Sequence, residues 1–253
     1  HIQIGKFGIL ILMKKSQIFR ILFEDKYILV IDKGSGILTI PDRYNHNLQS
    51  LSQILQDKYG EIFIVHRLDR DTSGVIIFAK DAETHRELNI AFENNDVKRI
   101  YHVVTQGIIP QDYIEIDIPL IQSRQKSHIM IPSAKGKTSL TKLRVLQRFK
   151  NATLAECELV TGRHHQIRAH LQAIGYPLLV DDLYGNNDSF LFSSIKRRYN
   201  LKKDTVEQPI ISRLTMHAYS IEFVHPRTKE LLQFTAEYPR DFSALLKVLE
   251  KYS

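Results

Sequence analysis

Residues 142–149 read KLRVLQRF and residues 153–160 read TLAECELV. Over much of both runs apolar and polar residues alternate, and a strand sends alternate side chains to opposite faces. One face then packs on a core while the other meets solvent, the pattern of an antiparallel sheet. The same reading extends outward. Residues 100–105 (IYHVVT) and 113–118 (YIEIDI) predict two more strands, and 217–224 and 231–236 a further pair. Residues 26–32 (KYILVID) predict a buried strand closed by the turn residues Gly34, Ser35 and Gly36. Two short apolar strands, 63–65 and 75–79, flank the polar loop HRLDRDTSG at 66–74.

Helical periodicity appears between these strands. It predicts a helix over 47–59 with Leu48, Leu51, Ile54 and Leu55 on one face. Asp81 is placed to cap a second helix carrying Leu88, Ala91 and Phe92. Thr161 is placed to cap a third over 162–174, with Ile167, Leu171 and Ile174 inward and Gly175 as its stop. A fourth closes the chain at 241–251. The expected fold class is α+β: a mixed, mostly antiparallel sheet with flanking helices, not a βαβ repeat.

Composition narrows the setting. Hydrophobic residues make up 43% of the 253 and charged residues 25%, which fits a globular chain with a sizeable core. No run approaches the roughly 18 apolar residues of a membrane span. Residues 8–12 (GILIL) are too short for a secretory h-region. Met13 is read as the natural start and residues 1–12 as added or upstream sequence, leaving 13–253 as a single domain. Cys157 is the only cysteine, so no internal disulfide forms and a cytoplasmic setting is expected. It is read as a buried small hydrophobe, not a nucleophile. No repeated apolar interface is evident, and a monomer is expected.

The formal net charge is +7, and it is uneven. Between Asp117 and Glu156 there is no acidic residue, while the interval holds Arg124, Lys126, Lys135, Lys137, Lys142, Arg144, Arg148 and Lys150. A second basic cluster, KRRYNLKK, spans 196–203. Such one-sign segments on structured elements predict a surface that phosphates neutralise.

Two clusters have chemical potential. Asp69 lies in the 66–74 loop, flanked by Arg67 and Arg70, whose positive charge favours a carboxylate anion between them. A positioned carboxylate can act as nucleophile or general base. Taken alone, it reads more readily as a loop aspartate in a surface ion pair. The second cluster is TGRHHQIRAH at 161–170, where Arg163, His164, His165, Arg168 and His170 crowd the start of the third helix. Helix N-termini attract anions, and the arginines suit phosphate or carboxylate recognition. Arg168, four residues after His164, is expected on the same helix face. The histidines lack the spacing of a zinc site, so no metal is expected. No dinucleotide fingerprint, phosphate-binding P-loop or serine-hydrolase elbow is present. Asp69-Arg70-Asp71-Thr72 departs from the aspartyl phosphatase signature, its threonine coming one residue early.

Together, five segments resemble the RluA-type family of RNA pseudouridine synthases. They are ILFEDKYILVIDKGSGILTIP at 21–41, HRLDRDTSGVIIFAK at 66–80, KRIYHVVTQG at 98–107, ECELVTGRHHQIRAHLQAIGYPLLVDDLYG at 156–185 and MHAYSIEFVHPRTKE at 216–230. The similarity spans roughly 20–250 in order and spacing; the second and fourth segments are the most specific. The resemblance implies an isomerase without cofactor or metal, acting on uridines of large-subunit ribosomal RNA or transfer RNA. It implies Asp69 as nucleophile, attacking at the sugar or the base. Tyr101 would stack on the base and assist proton removal. Arg168 would pair with Asp69, Arg67 would lie beside the flipped nucleotide, and Ile167 would pack on the uracil. Arg163 and Lys33 complete the expected RNA-binding set, Lys33 more peripherally.

The chain departs from the family pattern at Gly34, where proline is usual, at His164, where a small hydroxyl residue is common, and at Val180, where glycine is common. Residues 186–210 read as an inserted basic loop. An S4-type RNA-binding domain is not expected, so the chain reads as a catalytic domain alone.

Overall fold

The computed structural model describes residues 18–42, 45, 47–126, 128–196 and 206–252. The readings of 1–12 and of Met13 fall outside those residues, as does most of the 196–203 basic cluster.

The predicted strands form, with small changes of boundary. They are β2 (Ile28–Lys33), β3 (Phe63–Ile64), β4 (Ser73–Ala79), β5 (Lys98–Gln106), β6 (Tyr113–Asp117), β9 (Leu140–Arg148), β10 (Ala152–Leu159), β11 (Met216–Val224) and β12 (Leu231–Thr235). Three more were not anticipated: β1 (Phe19–Glu24), β7 (Leu120–Gln122) and β8 (Met130–Pro132). Strand β1 borrows its identity from pairing with β2, and β7 and β8 are three-residue strands paired with each other, β7 also bridging Lys137. Ten strands make one sheet in the order β1-β2-β4-β11-β5-β10-β9-β6, with β12 beside β11 and β3 beside β4. Strands β4 and β11 pair in parallel and the other pairs are antiparallel, so the sheet is mixed and mostly antiparallel.

Both faces of the central strands are covered, which explains their nearly continuous apolar sequences. In β2, Leu29 and Ile31 enter one core while Ile28 and Val30 enter another. In β4, Ile76 and Phe78 join the first core, and Val75 and Ile77 the second. Helix α1 (Leu51–Tyr59) and helix α3 (Gln166–Ala173) contribute Leu51, Leu55, Ile167 and Leu171 to the first core. Helix α2 (Ala82–Glu93) adds Leu88 to the second. Helix α4 (Arg240–Lys251) adds Phe242, Leu245 and Leu249 to a third, which also takes Phe190 and Ile211, the first within residues 186–210 and the second just after them. Cys157 is fully buried among apolar neighbours, and burial pushes its thiol pKa well up, as suits a packing residue. Among the described residues no helix is long and apolar enough to cross a membrane.

Two helix starts differ from expectation for capping reasons. Helix α1 begins at Leu51, not 47, because Ser50 and Gln53 close a reciprocal capping box. Helix α3 begins at Gln166, not 162. The Thr161 hydroxyl is diverted: it accepts from the Leu140 amide at 2.9 Å and donates to Gln166 Oε1 at 2.8 Å. His165 takes the N-cap position with a left-handed backbone (φ 50) and no side-chain cap. Arg163 and His164 therefore precede the helix, and His164 does not share a helix face with Arg168. Asp81 caps α2 as expected, accepting from the Thr84 amide at 2.8 Å. Gly175 (φ +84) follows α3 as its stop.

Candidate active site

The loop between β3 and β4 has little apolar content, so its shape depends on polar ties to the 33–39 turn. Thr39 Oγ1 donates to Leu68 O at 2.8 Å and accepts from the Leu68 amide at 3.2 Å. The Gly36 amide donates to Arg70 O at 2.9 Å, and Ser35 Oγ donates to Asp71 O at 3.1 Å. The Thr72 amide closes the loop on Asp69 O at 3.2 Å.

Lys33 sits beneath these ties. It is fully buried, and its ammonium donates to Gly34 O (2.9 Å), Ile37 O (3.0 Å) and Arg70 O (3.0 Å). Burial pushes its pKa down to about 7, opposed by Asp71 and Asp69. Its three donors are thus spent inside the protein. Lys33, expected in the RNA-binding set, supports the loop from below and presents no surface to a nucleic acid.

Gly74 fixes where the loop rejoins the sheet. Its φ is +116, and a Cβ there would lie 2.1 Å from Ala218 O on the parallel neighbour β11. Only glycine lets the two backbones approach this closely.

Asp69 is thereby presented toward α3. Arg168 Nη1 donates to Asp69 Oδ2 at 3.3 Å, so the expected pair forms. The stronger partner is one the sequence reading left unassigned. Arg168 Nε donates to Asp181 Oδ2 at 2.7 Å and Nη2 to Asp181 Oδ1 at 2.6 Å, a fork-to-fork pair. Asp181 is fully buried, and its Oδ1 also accepts from the amides of Leu183 and Tyr184. Burial works against the Arg168 charge, but the hydrogen bonds and charge of Asp181, with Asp69, more than offset it, leaving its pKa raised.

His165 was likewise not singled out as a neighbour of Asp69. Its Nε2 lies 3.7 Å from Asp69 Oδ2 and 3.2 Å from Arg168 Nη1. Burial pushes its pKa down to about 4, so the ring is neutral at pH 7 and Nε2 accepts from the guanidinium. The left-handed backbone that aims the ring is uncommon for any residue but glycine, so the local sequence does not announce it. Asp69, His164 and His165 offer ligand atoms within 4.8 Å of one another, a set able to hold a metal ion. Arg168 already directs a fixed cation at two of those atoms, which opposes a second.

Three cavities meet at Asp69. The innermost, about 60 Å³, is lined by Asp69, Tyr101, Ile167 and Arg168. It brings the expected trio and the expected uracil-packing residue to one place. An open groove of about 770 Å³ runs from Asp69 and Tyr101 past Arg67 to Phe92 and Arg99. Another of about 470 Å³ lies on the far side, toward Asp42 and Leu183. Arg67 lines all three, while Arg70 turns its Nε to Gly36 O at 3.3 Å. Arg163 lines the large groove, with Nε held by Thr138 O at 3.1 Å. Tyr101 is only 7% exposed, and burial pushes its pKa up to about 12, so its phenol keeps its proton at neutral pH.

The acid-free interval is not an acid-free surface. The register of β9 against its neighbours sets Arg144 against Glu156 (2.9 Å), Lys142 against Glu158 (4.0 Å) and Arg148 against Asp112 (2.6 Å). Sheet pairing thus supplies carboxylates that are distant in sequence, and the expected positive face narrows to Arg124, Lys126, Lys135, Lys137 and Lys150.

Residues 27–173 match the family model described as RNA pseudouridylate synthase. A ribosomal large subunit pseudouridine synthase D of Zymomonas mobilis is 34% identical over 90% of this chain and 72% of its own length. A dual-specificity RNA pseudouridine synthase RluA of Vibrio vulnificus is 34% identical over 82% of this chain and 78% of its own. Among solved structures, human RNA pseudouridylate synthase domain containing 4 superposes with a TM-score of 0.70. It is 24% identical and covers 91% of this chain and 92% of that one, a likeness of fold.

Proposed function

This chain belongs to the RNA pseudouridylate synthase family, of the RluA type, whose members are isomerases of RNA uridines, and from that premise we propose that Asp69 is its nucleophile. The observation that carries the reading is the inner cavity, where one carboxylate meets a buried phenol, an apolar side chain and a fixed guanidinium. An enzyme that acts on a base must take it out of its stack, and the junction of this cavity with the large groove, which share Asp69 and Tyr101, suits a flipped pyrimidine. Ile167 packs on the ring and Tyr101 stacks against it. Arg168, clamped by Asp181, holds the Asp69 carboxylate in the attacking position. Arg67, common to all three cavities, keeps the nucleotide out of the helix.

In the reaction the bond between uracil N1 and the ribose C1′ breaks. The base turns, and C5 bonds to C1′. Asp69 holds the reacting nucleotide covalently between these events, at the sugar or the base, and is released unchanged. N1 gains a proton and C5 loses one, so substrate and product are isomers and no oxidant or reductant is consumed. Tyr101 relays the C5 proton to solvent through its hydroxyl: its own phenol proton leaves as the one from C5 arrives, so the residue stays protonated at neutral pH.

Large-subunit ribosomal RNA is the proposed substrate, because it is named for a relative matched over most of both chains; transfer RNA is the second reading. The test maps pseudouridine in ribosomal and transfer RNA from cells with and without the protein, by carbodiimide-dependent primer extension. Sites that vanish are then offered to purified protein and to Asp69→Asn. The expected outcome is a small set of ribosomal sites restored by the intact chain and not by the variant. Full activity of Asp69→Asn would remove Asp69 from the mechanism.

A further inference from the structure

The large groove contains a second buried arginine that the proposed chemistry does not use. Arg99 is 7% exposed, and its Nη2 donates to Leu159 O (3.0 Å) and Val160 O (3.2 Å). Its Nε is buried with no hydrogen-bond partner. Among the described residues no carboxylate pairs with it, although Asp69 and Glu93 line the same groove. Burial holds its pKa below the ordinary arginine value, with Tyr101 opposing. A buried cation without a counter-ion is costly, and such a group is retained where a ligand supplies the missing charge.

The guanidinium is also held in place. Its carbon lies 5.3 Å from the Phe92 ring centroid, and Phe92 stacks in turn on His66 at 4.8 Å. On the other side the chain gives it room at Gly162, where a Cβ would come within 2.8 Å of Arg99 Nη1. Arg99 and Tyr101 stand two residues apart on β5, hence on the same sheet face and roughly 7 Å apart along the strand. A strand of RNA whose uracil lies on Tyr101 would bring an adjoining part of its backbone past Arg99.

We propose that Arg99 binds a backbone phosphate next to the target uridine, making this wall of the groove a subsite for the flanking nucleotide. A neutral base edge at this groove wall would leave the Arg99 charge uncompensated, whereas a phosphate supplies the missing anion. The inference rests on the RNA-uridine reading of the groove. Arg99 is a substrate-binding residue that orients the strand and takes no part in bond making.

The test uses a twelve-nucleotide single-stranded RNA with one central uridine, and copies in which one phosphate at a time is a neutral methylphosphonate. Binding is measured by fluorescence anisotropy across a salt series for the intact chain, Arg99→Gln and Arg99→Lys. Replacing one phosphate beside the uridine should weaken binding to the intact chain and to Arg99→Lys on the order of tenfold, the size of one charge-assisted hydrogen bond. Arg99→Gln should be indifferent to that replacement, and its slope of log affinity against log salt should be shallower by about 0.7. The methylphosphonate series on the intact chain and on Arg99→Lys keeps the question open to refutation if Arg99→Gln folds poorly. Insensitivity to every phosphate flanking the uridine, or an unchanged salt slope in folded Arg99→Gln, overturns the proposal. Phosphate sensitivity in a chain that makes no pseudouridine would keep this subsite and sink the activity instead.

Discussion

The candidate site buries two arginines, Arg168 on the α3 side of Asp69 and Arg99 on the β5 wall of the large groove, and treats them in opposite ways. On the α3 side, Arg168 meets Asp181 at 2.6 and 2.7 Å, Asp69 at 3.3 Å and Asp182 at 3.6 Å. On the β5 wall, Arg99 meets two backbone carbonyls and a phenyl ring, and among the described residues no carboxylate. Burial works against both charges; only Arg168 has it more than offset by carboxylates. The contrast separates two uses of one side chain. A cation completed by the fold can hold a reacting group still, while a cation left incomplete can receive a polyanion.

Removing the completed cation should have the largest effect. Arg168→Met leaves Asp181 buried and unpaired, so stability should fall by about 3 kcal/mol or more in urea unfolding, with loss of pseudouridine formation. Asp181→Asn keeps the shape and removes the charge. Arg168 then loses its clamp, and turnover should fall about 100-fold through misplacement of Asp69, with little change in RNA affinity. A parallel loss of affinity would show that the α3 side also binds the backbone.

Acid should act through buried histidines, of which only His165 touches Arg168. His165, His217 and His66 have folded-state pKa values of about 4, 4 and 3, all lowered first by burial. In the unfolded chain they titrate near 6.5, at about the reference value for histidine. Above pH 6.5 they are neutral in both states. Below it the unfolded chain binds protons that the folded chain refuses, so stability is lost as pH falls from about 6.5 toward 4. Unfolding midpoints at pH 7 and pH 5 should show the drop, and His217→Gln should reduce it. The smallest effect is expected at the incomplete cation. Arg99→Gln exchanges an uncompensated charge for a neutral group, so its stability should lie within about 1 kcal/mol of the intact chain. A loss as large as that of Arg168→Met would mean that the two sides are built alike.

Much of the site could be read from the chain, because a few local patterns constrain it. The 66–74 loop between two apolar runs announced Asp69, and helical spacing placed Ile167 and Leu171 on one inner face. The capping of α2 by Asp81 needed only neighbours three residues away. Misreadings arose where a distant segment competed for a local group. Thr161 was taken from its helix by Leu140, and the cations of β9 were paired by carboxylates on β10 and in the loop before β6.

The sequence by itself determined the fold class, the two-residue alternation that feeds separate cores, and the identity of the family, since these rest on periodicity and on contiguous motifs. Only the tertiary structure decided that Lys33 supports the loop from inside, that Asp181 clamps Arg168 and that His165 lies beside Asp69. It alone left Arg99, among the described residues, without a paired carboxylate. The physical reason is that burial and electrostatic pairing are properties of the assembled surroundings, and no residue carries its partners in its own sequence neighbourhood.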